Sequence, residues 1–202
     1  MNIKKYTYND ELFYNDLDKS FKRAFELIEM GVIDRNHPFH TPTIAFLHNN
    51  CPTACTLVLR GFEPQALVFL FHTDVRSRKI FDINLNSKIA LHFYDRDAKI
   101  QLRINGTATV FTDNNLVDEA WTRASRSSRE CYRAVVAPGT VLTEPNDMFA
   151  GQVSRKNNGR KYFSVLKVKM NKMEWLYLAS QGHRRAEMVW VDSKSSQTWL
   201  TP

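Results

Sequence analysis

Phe69-Leu-Phe-His-Thr-Asp-Val-Arg-Ser-Arg-Lys79 decides how the chain is read, because it compresses a strand end, a polar turn and a cationic helix start into one short stretch. The apolar run from Ala66 to Phe71 breaks at His72-Thr73-Asp74 and resumes as Ser77-Arg78-Lys79-Ile80-Phe81. This is the pattern of strand, turn and helix, with Ser77 or Asp74 placed to cap. The first backbone N–H groups of a helix lack internal partners. With the Thr73 hydroxyl, Arg78 and Lys79 alongside, they form a socket for a phosphate or another anion. The same residues also describe an ordinary capped helix with solvated basic side chains, and the stretch alone leaves both readings open.

Outward from this stretch the pattern is mostly β. Short runs at Thr43 to His48, Ala54 to Arg60, Ala66 to Thr73, Lys88 to Tyr94 and Lys99 to Thr112 are separated by turn residues at Asn49-Asn50, Gly61 to Pro64 and Asp95 to Ala98. Such close spacing implies antiparallel pairing. The helix after Arg76 is expected to run to about residue 84. Alternation in Ile100-Gln101-Leu102-Arg103-Ile104 puts Gln101 and Arg103 on the face opposite the apolar residues. Further strands are expected at Tyr162 to Met170, Glu174 to Ala179, Ala186 to Asp192 and Thr198 to Leu200, giving about eight in a closed or half-closed barrel.

Two helical segments flank these strands. Leu12, Phe13, Leu17, Phe21, Phe25, Leu27 and Ile28 recur at helical spacing up to Gly31, so an amphipathic helix opens the fold. Leu116, Val117, Ala120, Trp121 and Ala124 form the apolar side of a second helical stretch over residues 113 to 134, with Asp113 as its cap. Between the helix and the first strand, His37-Pro38-Phe39-His40-Thr41-Pro42 is a rigid connector, because each proline restrains itself and the residue before it. Residues 137 to 161 carry turn chemistry, and a loop of that length is a lid, an interface arm or a disordered segment.

Composition narrows the function classes. The chain has 202 residues, 43% of them hydrophobic, enough for one domain with a full core. The start, Met1-Asn-Ile-Lys-Lys-Tyr6, lacks the apolar centre of a signal peptide, and no apolar run approaches the ~18 residues of a membrane span. A cytoplasmic protein with no membrane partner is the expectation. Cys51, Cys55 and Cys131 are odd in number and form no C-x-x-C pair, so neither a disulfide framework nor a metal site is indicated. The formal charge of +7 suits an anionic ligand, but its Lys and Arg residues are scattered. Nucleic-acid modules present a continuous basic stripe interleaved with aromatics, so no nucleic-acid partner is expected.

The chain holds no G-x-G-x-x-G, Walker loop, G-x-S-x-G or H-E-x-x-H, and those chemistries drop out. Nothing singles out one cysteine and one histidine as a nucleophilic pair, and the carboxylates are too scattered for a paired-acid glycosidase. What survives is an anion-binding site on a β scaffold.

The order of pieces has a precedent. Thr56-Leu-Val-Leu-Arg60-Gly, Phe71-His-Thr-Asp-Val-Arg-Ser-Arg-Lys79, Phe93-Tyr94, Gln101-Leu-Arg-Ile-Asn-Gly106, Gly182-His-Arg-Arg-Ala186 and the ending Trp199-Leu-Thr-Pro202 resemble the pyridoxamine 5′-phosphate oxidase-like family of FMN-binding split barrels, in its broader and less characterised branch. The resemblance covers roughly residues 37 to 202. It implies a mainly β fold, a six-stranded antiparallel split β-barrel of Greek-key type with flanking α-helices, behind a helical segment over residues 1–36. It further implies a homodimer with FMN at the interface and a small-molecule substrate.

Carried over by residue, the resemblance assigns Cys55, Thr56, Leu57, Val58, Leu59 and Arg60 to the strand lining the flavin. His72, Thr73, Arg78 and Lys79 would hold the ring edge and phosphate, Gln101 the isoalloxazine, and Arg185 its pyrimidine end, with Trp175 flanking. Arg185 and His183 are the expected catalytic residues, and Arg60, Arg123, Ser127 and His183 the substrate-side ones. Physically the assignment is coherent. A phosphate monoester favours charge-assisted donors, and a cation near the flavin stabilises its reduced anion.

Departures fall mainly on the substrate side. Cys55 stands where the family has an arginine that contacts phosphate. The family's Tyr, Arg and Ser at four-residue spacing become Glu119, Arg123 and Ser127, and its Arg-x-His-x-Arg becomes Gln181-Gly-His183-Arg-Arg185. The expected function is an FMN-dependent oxidoreductase acting on an unidentified small molecule. The alternatives are a non-catalytic FMN-binding module and, prompted by His37 and His40, a heme-binding one.

Overall fold

The computed structural model describes residues 13–145, 147, 159–192 and 194–202. The opening helix α1 (Leu17–Ile33) starts where the Asp16 carboxylate accepts the Lys19 backbone N–H at 2.9 Å. Its apolar stripe, Phe21, Ala24, Leu27 and Ile28, is buried in the main core together with residues of the sheet. Packing of this kind, rather than helix propensity, is what holds a helix of such length.

Nine strands follow among the described residues: β1 (Thr43–His48), β2 (Cys51–Thr56), β3 (Leu59–Glu63), β4 (Val68–Asp74), β5 (Lys88–Asp95), β6 (Ile100–Phe111), β7 (Phe163–Tyr177), β8 (Arg184–Val191) and β9 (Lys194–Leu200). All pairings are antiparallel, in the order β2-β1-β5-β6-β7-β4-β3, with β8 on β7 and β9 on β8. The antiparallel β class with flanking helices is as expected, with more strands than six. β2 and β3 are the two ends of the seven-strand path, and only Leu57 and Val58 separate them in sequence. That short crossing brings the sheet's two edges round toward each other, which is the geometry of a split barrel. The run Ala54 to Arg60, expected as one strand, is therefore two.

Strand β7 was expected as two strands and is one. Its first part pairs with β4 up to Val68↔Lys169, and its second part pairs with β8 from Lys172↔Val189. Along β6 it pairs throughout, but Asn105↔Lys172 is followed by Gly106↔Met170, so Asn171 is an extra, bulged residue. Gly106 lies at this irregularity because a Cβ there would sit 2.5 Å from the Lys169 carbonyl oxygen. The bulge resets the alternation: Leu166, Val168 and Met170 face inward before it, Met173 and Trp175 after it.

The helix expected after Arg76 is α2 (Arg78–Leu85), and it packs near β1. The expected 113–134 helix is divided into α3 (Asn115–Arg123) and α4 (Arg126–Glu130). Asn114, not Asp113, is the cap: its side chain accepts the Val117 N–H at 3.0 Å. The division falls at Ser125, which caps α4 by accepting the Ser128 N–H at 3.2 Å. Val117 and Trp121 of α3 close a second, smaller core with Phe163 and Val165 on the outer side of β7. Of the long loop expected over 137 to 161, residues 146 and 148–158 lie outside the described residues. No helix among the described residues is long and apolar enough to cross a membrane.

Candidate functional site

The stretch Phe69 to Lys79 forms the predicted strand, turn and helix. β4 alternates, so Phe69, Phe71 and Thr73 face the main core while Leu70 and His72 face the α3 side. Thr73 and Ser77 are buried, and the Lys79 ammonium donates to both hydroxyls, at 3.2 Å to Thr73 Oγ1 and 3.4 Å to Ser77 Oγ. Ser77 occupies the N-cap position of α2, yet its side chain makes no cap hydrogen bond. The hydroxyl sits beside Lys79, so it caps none of the first-turn N–H groups of α2, of which that of Ile80 donates to the Ser77 carbonyl at 3.0 Å. Asp74, the other expected cap, is engaged elsewhere. It accepts from Arg76 Nη2 at 2.7 Å and Nε at 3.0 Å, while Arg76 donates to the Ala134 and Val135 carbonyls and lies over the Tyr162 ring. Arg76 is thus a structural clamp on the loop.

Arg78 does not join the Thr73–Ser77–Lys79 cluster. Its guanidinium is 3.5 Å from Asp82 one turn along α2 and packs over Phe81. Asp82 is buried and also holds His48 Nδ1, at 3.0 and 3.1 Å from its two oxygens. Cys55 is half-buried on β2 with its side chain toward the core. Burial pushes its thiol pKa up, with Lys79 pulling in the other direction, so a neutral thiol stands near the ammonium where the family's motif has a guanidinium. Of its neighbours Thr56 and Arg60 are exposed, Leu57 and Val58 half-buried, and Leu59 is wholly in the core.

A second group lies on the other face of β4. Arg60, His72, Glu119, Arg123, Ser125 and Ser128 line a cleft of about 400 Å³ between β3, β4 and the α3–α4 segment. Burial, reinforced by Arg60, lowers the His72 pKa to about 4, so its imidazole is neutral at physiological pH. It rests edge-on against Phe163. Arg123 pairs with Glu119 at 3.1 Å. Ser127 is exposed and lies outside the cleft lining, its hydroxyl 3.0 Å from that of Ser125. Ser125 and Ser128 replace it, and the capping role of Ser125 was the signal available in the sequence.

A third group occupies the outer face of the sheet. Gln101, Leu176 and Arg185 stand in one cross-strand row, with Arg103 and Glu174 in the next. Gln101 and Arg103 do lie opposite the apolar residues of β6, as the alternation implied. Arg185 donates to Glu174 at 2.6 Å through Nη2 and 3.2 Å through Nε. His183 is exposed in the turn before β8. Trp175 points the other way, fully buried against Phe13, Tyr177 and Trp199, and its indole N–H has no hydrogen-bond partner among the described residues.

The predicted residues thus fall into a socket, a cleft and a sheet face, and a single chain does not bring all three together. The socket suits a phosphate monoester: one ammonium, two hydroxyls and an uncapped helix start are donors toward a dianion. His37 and His40 are tied into the connector instead. The first accepts the Phe39 N–H at 3.1 Å and lies 3.9 Å from Asp95, and the second is 2.7 Å from the Gly31 carbonyl. Among the described residues no three His, Cys, Asp or Glu side chains are grouped to hold a metal ion.

Comparison with known proteins agrees with this architecture. Residues 18–112, from α1 through β6, match the family model of the pyridoxamine 5′-phosphate oxidase FMN-binding domain, a flavin-binding domain. A pyridoxine/pyridoxamine 5′-phosphate oxidase of Rubrobacter xylanophilus is 39% identical over 57 residues, which is 28% of this chain and 25% of that protein. Among solved structures, a pyridoxamine 5′-phosphate oxidase-related, FMN binding protein from Nostoc punctiforme PCC 73102 superposes with a TM-score of 0.75 at 20% identity, covering 90% of this chain and 96% of the other. PhzG from Burkholderia lata 383, solved with tetrahydrophenazine-1-carboxylic acid, gives 0.71 at 15% identity over 94% and 96% of the two chains. In sequence over residues 18–112 and in fold over nine-tenths of its length, the chain resembles the pyridoxamine 5′-phosphate oxidase-related, FMN-binding split barrels, as its motifs imply.

Proposed function

We propose that the chain binds FMN and works as an FMN-dependent oxidoreductase on a small molecule, as a cytoplasmic homodimer. The observation that carries this reading is the Thr73–Ser77–Lys79 cluster at the uncapped start of α2, a ready anion socket in a chain whose matched family model is a flavin-binding domain. Lys79 would bind the phosphate by charge, Thr73 and Ser77 by hydroxyl donation, and the α2 N–H groups along the helix dipole. Arg78 would join them on leaving Asp82. Cys55 contributes no cation, so the socket is held by fewer charges than in the family pattern.

Bound FMN would supply an isoalloxazine that takes up and gives back electron pairs. The chain's own residues do the rest: Gln101 would hydrogen-bond the ring, Arg185 would place a cation at its pyrimidine end, and His183 would orient the substrate. Arg60, Arg123 and the serines of the cleft would grip an acidic substrate group. The homodimer is supported by the separation of these groups, since the sheet face of one copy can complete the socket of another. Three free thiols suit a reducing compartment such as the cytoplasm.

The test is direct. The chain is expressed and purified without added flavin, and its absorbance and copurifying small molecules are recorded. A flavin spectrum with one FMN per chain is expected, and a colourless protein that also fails to take up added FMN would refute the proposal. The second reading, a non-catalytic FMN-binding module, is favoured by the Arg123–Glu119 pair, which neutralises a substrate-side cation. Repeated reduction and reoxidation of the bound flavin by a defined small molecule would exclude it.

A further inference from the structure

Glu174 stands on the outer face of β7 between Arg103 of β6 and Arg185 of β8 and accepts hydrogen bonds from both guanidinium groups. Lys172 lies 3.5 Å from its other oxygen and is itself paired with Glu187. The Glu174 side chain is only 15% exposed, against 49% for Arg103 and 30% for Arg185. Burial by itself would raise its pKa, but the hydrogen bonds and charges of Arg185 and Arg103 prevail and lower it, so the group is an anion at neutral pH. Ion pairs on an accessible face add little to stability. One carboxylate holding two guanidinium groups does, however, fix where both point and how much of their charge is left uncompensated.

Arg185 shares its cross-strand row with Gln101, the pair that the FMN reading above places against the flavin ring. We propose that Glu174 is a positioning residue that sets the aim and the effective charge of Arg185, and through it the reduction potential of the flavin. This inference rests on the FMN reading. A cation beside the ring favours the reduced, more negative flavin, and a carboxylate bonded to that same cation offsets the preference. Glu174 therefore lowers the potential. Arg103 draws on the same carboxylate, so removing Arg103 leaves more of the anion to act on Arg185 and lowers the potential further.

The experiment measures the two-electron midpoint potential of the bound flavin by equilibration with reference dyes in wild type, Glu174→Gln, Glu174→Asp and Arg103→Gln. Glu174→Gln is expected to raise the ratio of reduced to oxidised flavin at a fixed potential about tenfold, a shift of about 30 mV. Arg103→Gln is expected to shift it the opposite way, and Glu174→Asp to restore the wild-type value. Opposite signs are the mark of charge, which a general loosening of the sheet would not produce. Flavin-loaded variants whose potentials stay put, or move in one direction together, overturn the role of Glu174 while leaving the FMN reading intact. If Glu174→Gln fails to fold or to load, Arg103→Gln decides alone: a lowered potential supports the role and an unchanged one overturns it. A wild-type chain that takes up no flavin overturns the FMN reading itself, and this inference with it.

Discussion

Replacing His72 should remove much of the protein's sensitivity to mild acid. The imidazole is half-buried beside Phe163 and near Arg60, and its pKa in the folded chain is about 4, against an ordinary value of 6.5. Above pH 6.5 the group is neutral in both folded and unfolded chains and contributes nothing to the pH dependence. Between 6.5 and about 4 the unfolded chain binds a proton that the folded chain refuses, so stability falls with falling pH. Below about 4 both forms are protonated and the loss levels off. At pH 4.5 the difference in proton binding amounts to about 2.5 kcal/mol relative to pH 7, from 1.36 kcal/mol per pKa unit. The assay is urea unfolding of wild type and His72→Gln at both pH values, comparing the change between them so that any general cost of the substitution cancels. Wild type should lose about 2 kcal/mol more than the variant. Equal losses, within about 0.5 kcal/mol, would refute the assignment of His72 as a buried neutral base.

Lys79→Met should weaken FMN binding by about 1.5 to 3 kcal/mol, the scale of a charged hydrogen bond, as read by fluorescence titration. Arg78→Ala should cost less, because its guanidinium already has Asp82 as a partner and is mostly exposed. The reverse ranking would mean that phosphate recruits Arg78 and leaves Lys79 aside. Gly106→Ala should destabilise by about 1 to 3 kcal/mol in urea unfolding, since the new Cβ meets backbone at 2.5 Å. Gly61→Ala should cost less, because the nearest atom there, 3.1 Å away, is the end of the flexible Leu70 side chain. Similar losses for the two would show that the bulge can spread.

How far the sequence speaks for itself varies along the chain. β1 spans Thr43–His48 just as its apolar run and flanking turn residues indicate, because both of its ends are set locally by Thr41-Pro42 and Asn49-Asn50. Asn49 and Asn50 adopt positive φ there, a backbone state asparagine tolerates. The Thr73–Lys79 socket was legible for a similar reason: strand end, turn and helix start lie within a few residues. Arg78 and Trp175 were less so: Arg78 pairs along its own helix instead of across the turn, and Trp175 lies on the opposite face of the sheet from the one expected. Arg78 turns to Asp82, which is shared with His48, 34 residues away, and Trp175 follows the inward parity of β7. Parity also explains why β7 reads as two strands in sequence, because the alternation on either side of Asn171 does not match.

That mismatch makes the Asn171 bulge a phase shifter. Deleting Asn171 would merge the two parts of β7 into one regular strand, since Gly106↔Met170 would be followed directly by Asn105↔Lys172 while the pairing with β4 stayed as it is. Glu174 and Leu176 would stay on the outer face and Met173 and Trp175 inside, because Lys172 and every residue after it would keep its partner on β6. What the extra residue supplies is a local bend and added twist in β7 just ahead of Glu174, which angles the Arg103–Glu174 and Gln101–Arg185 rows relative to the first part of the strand.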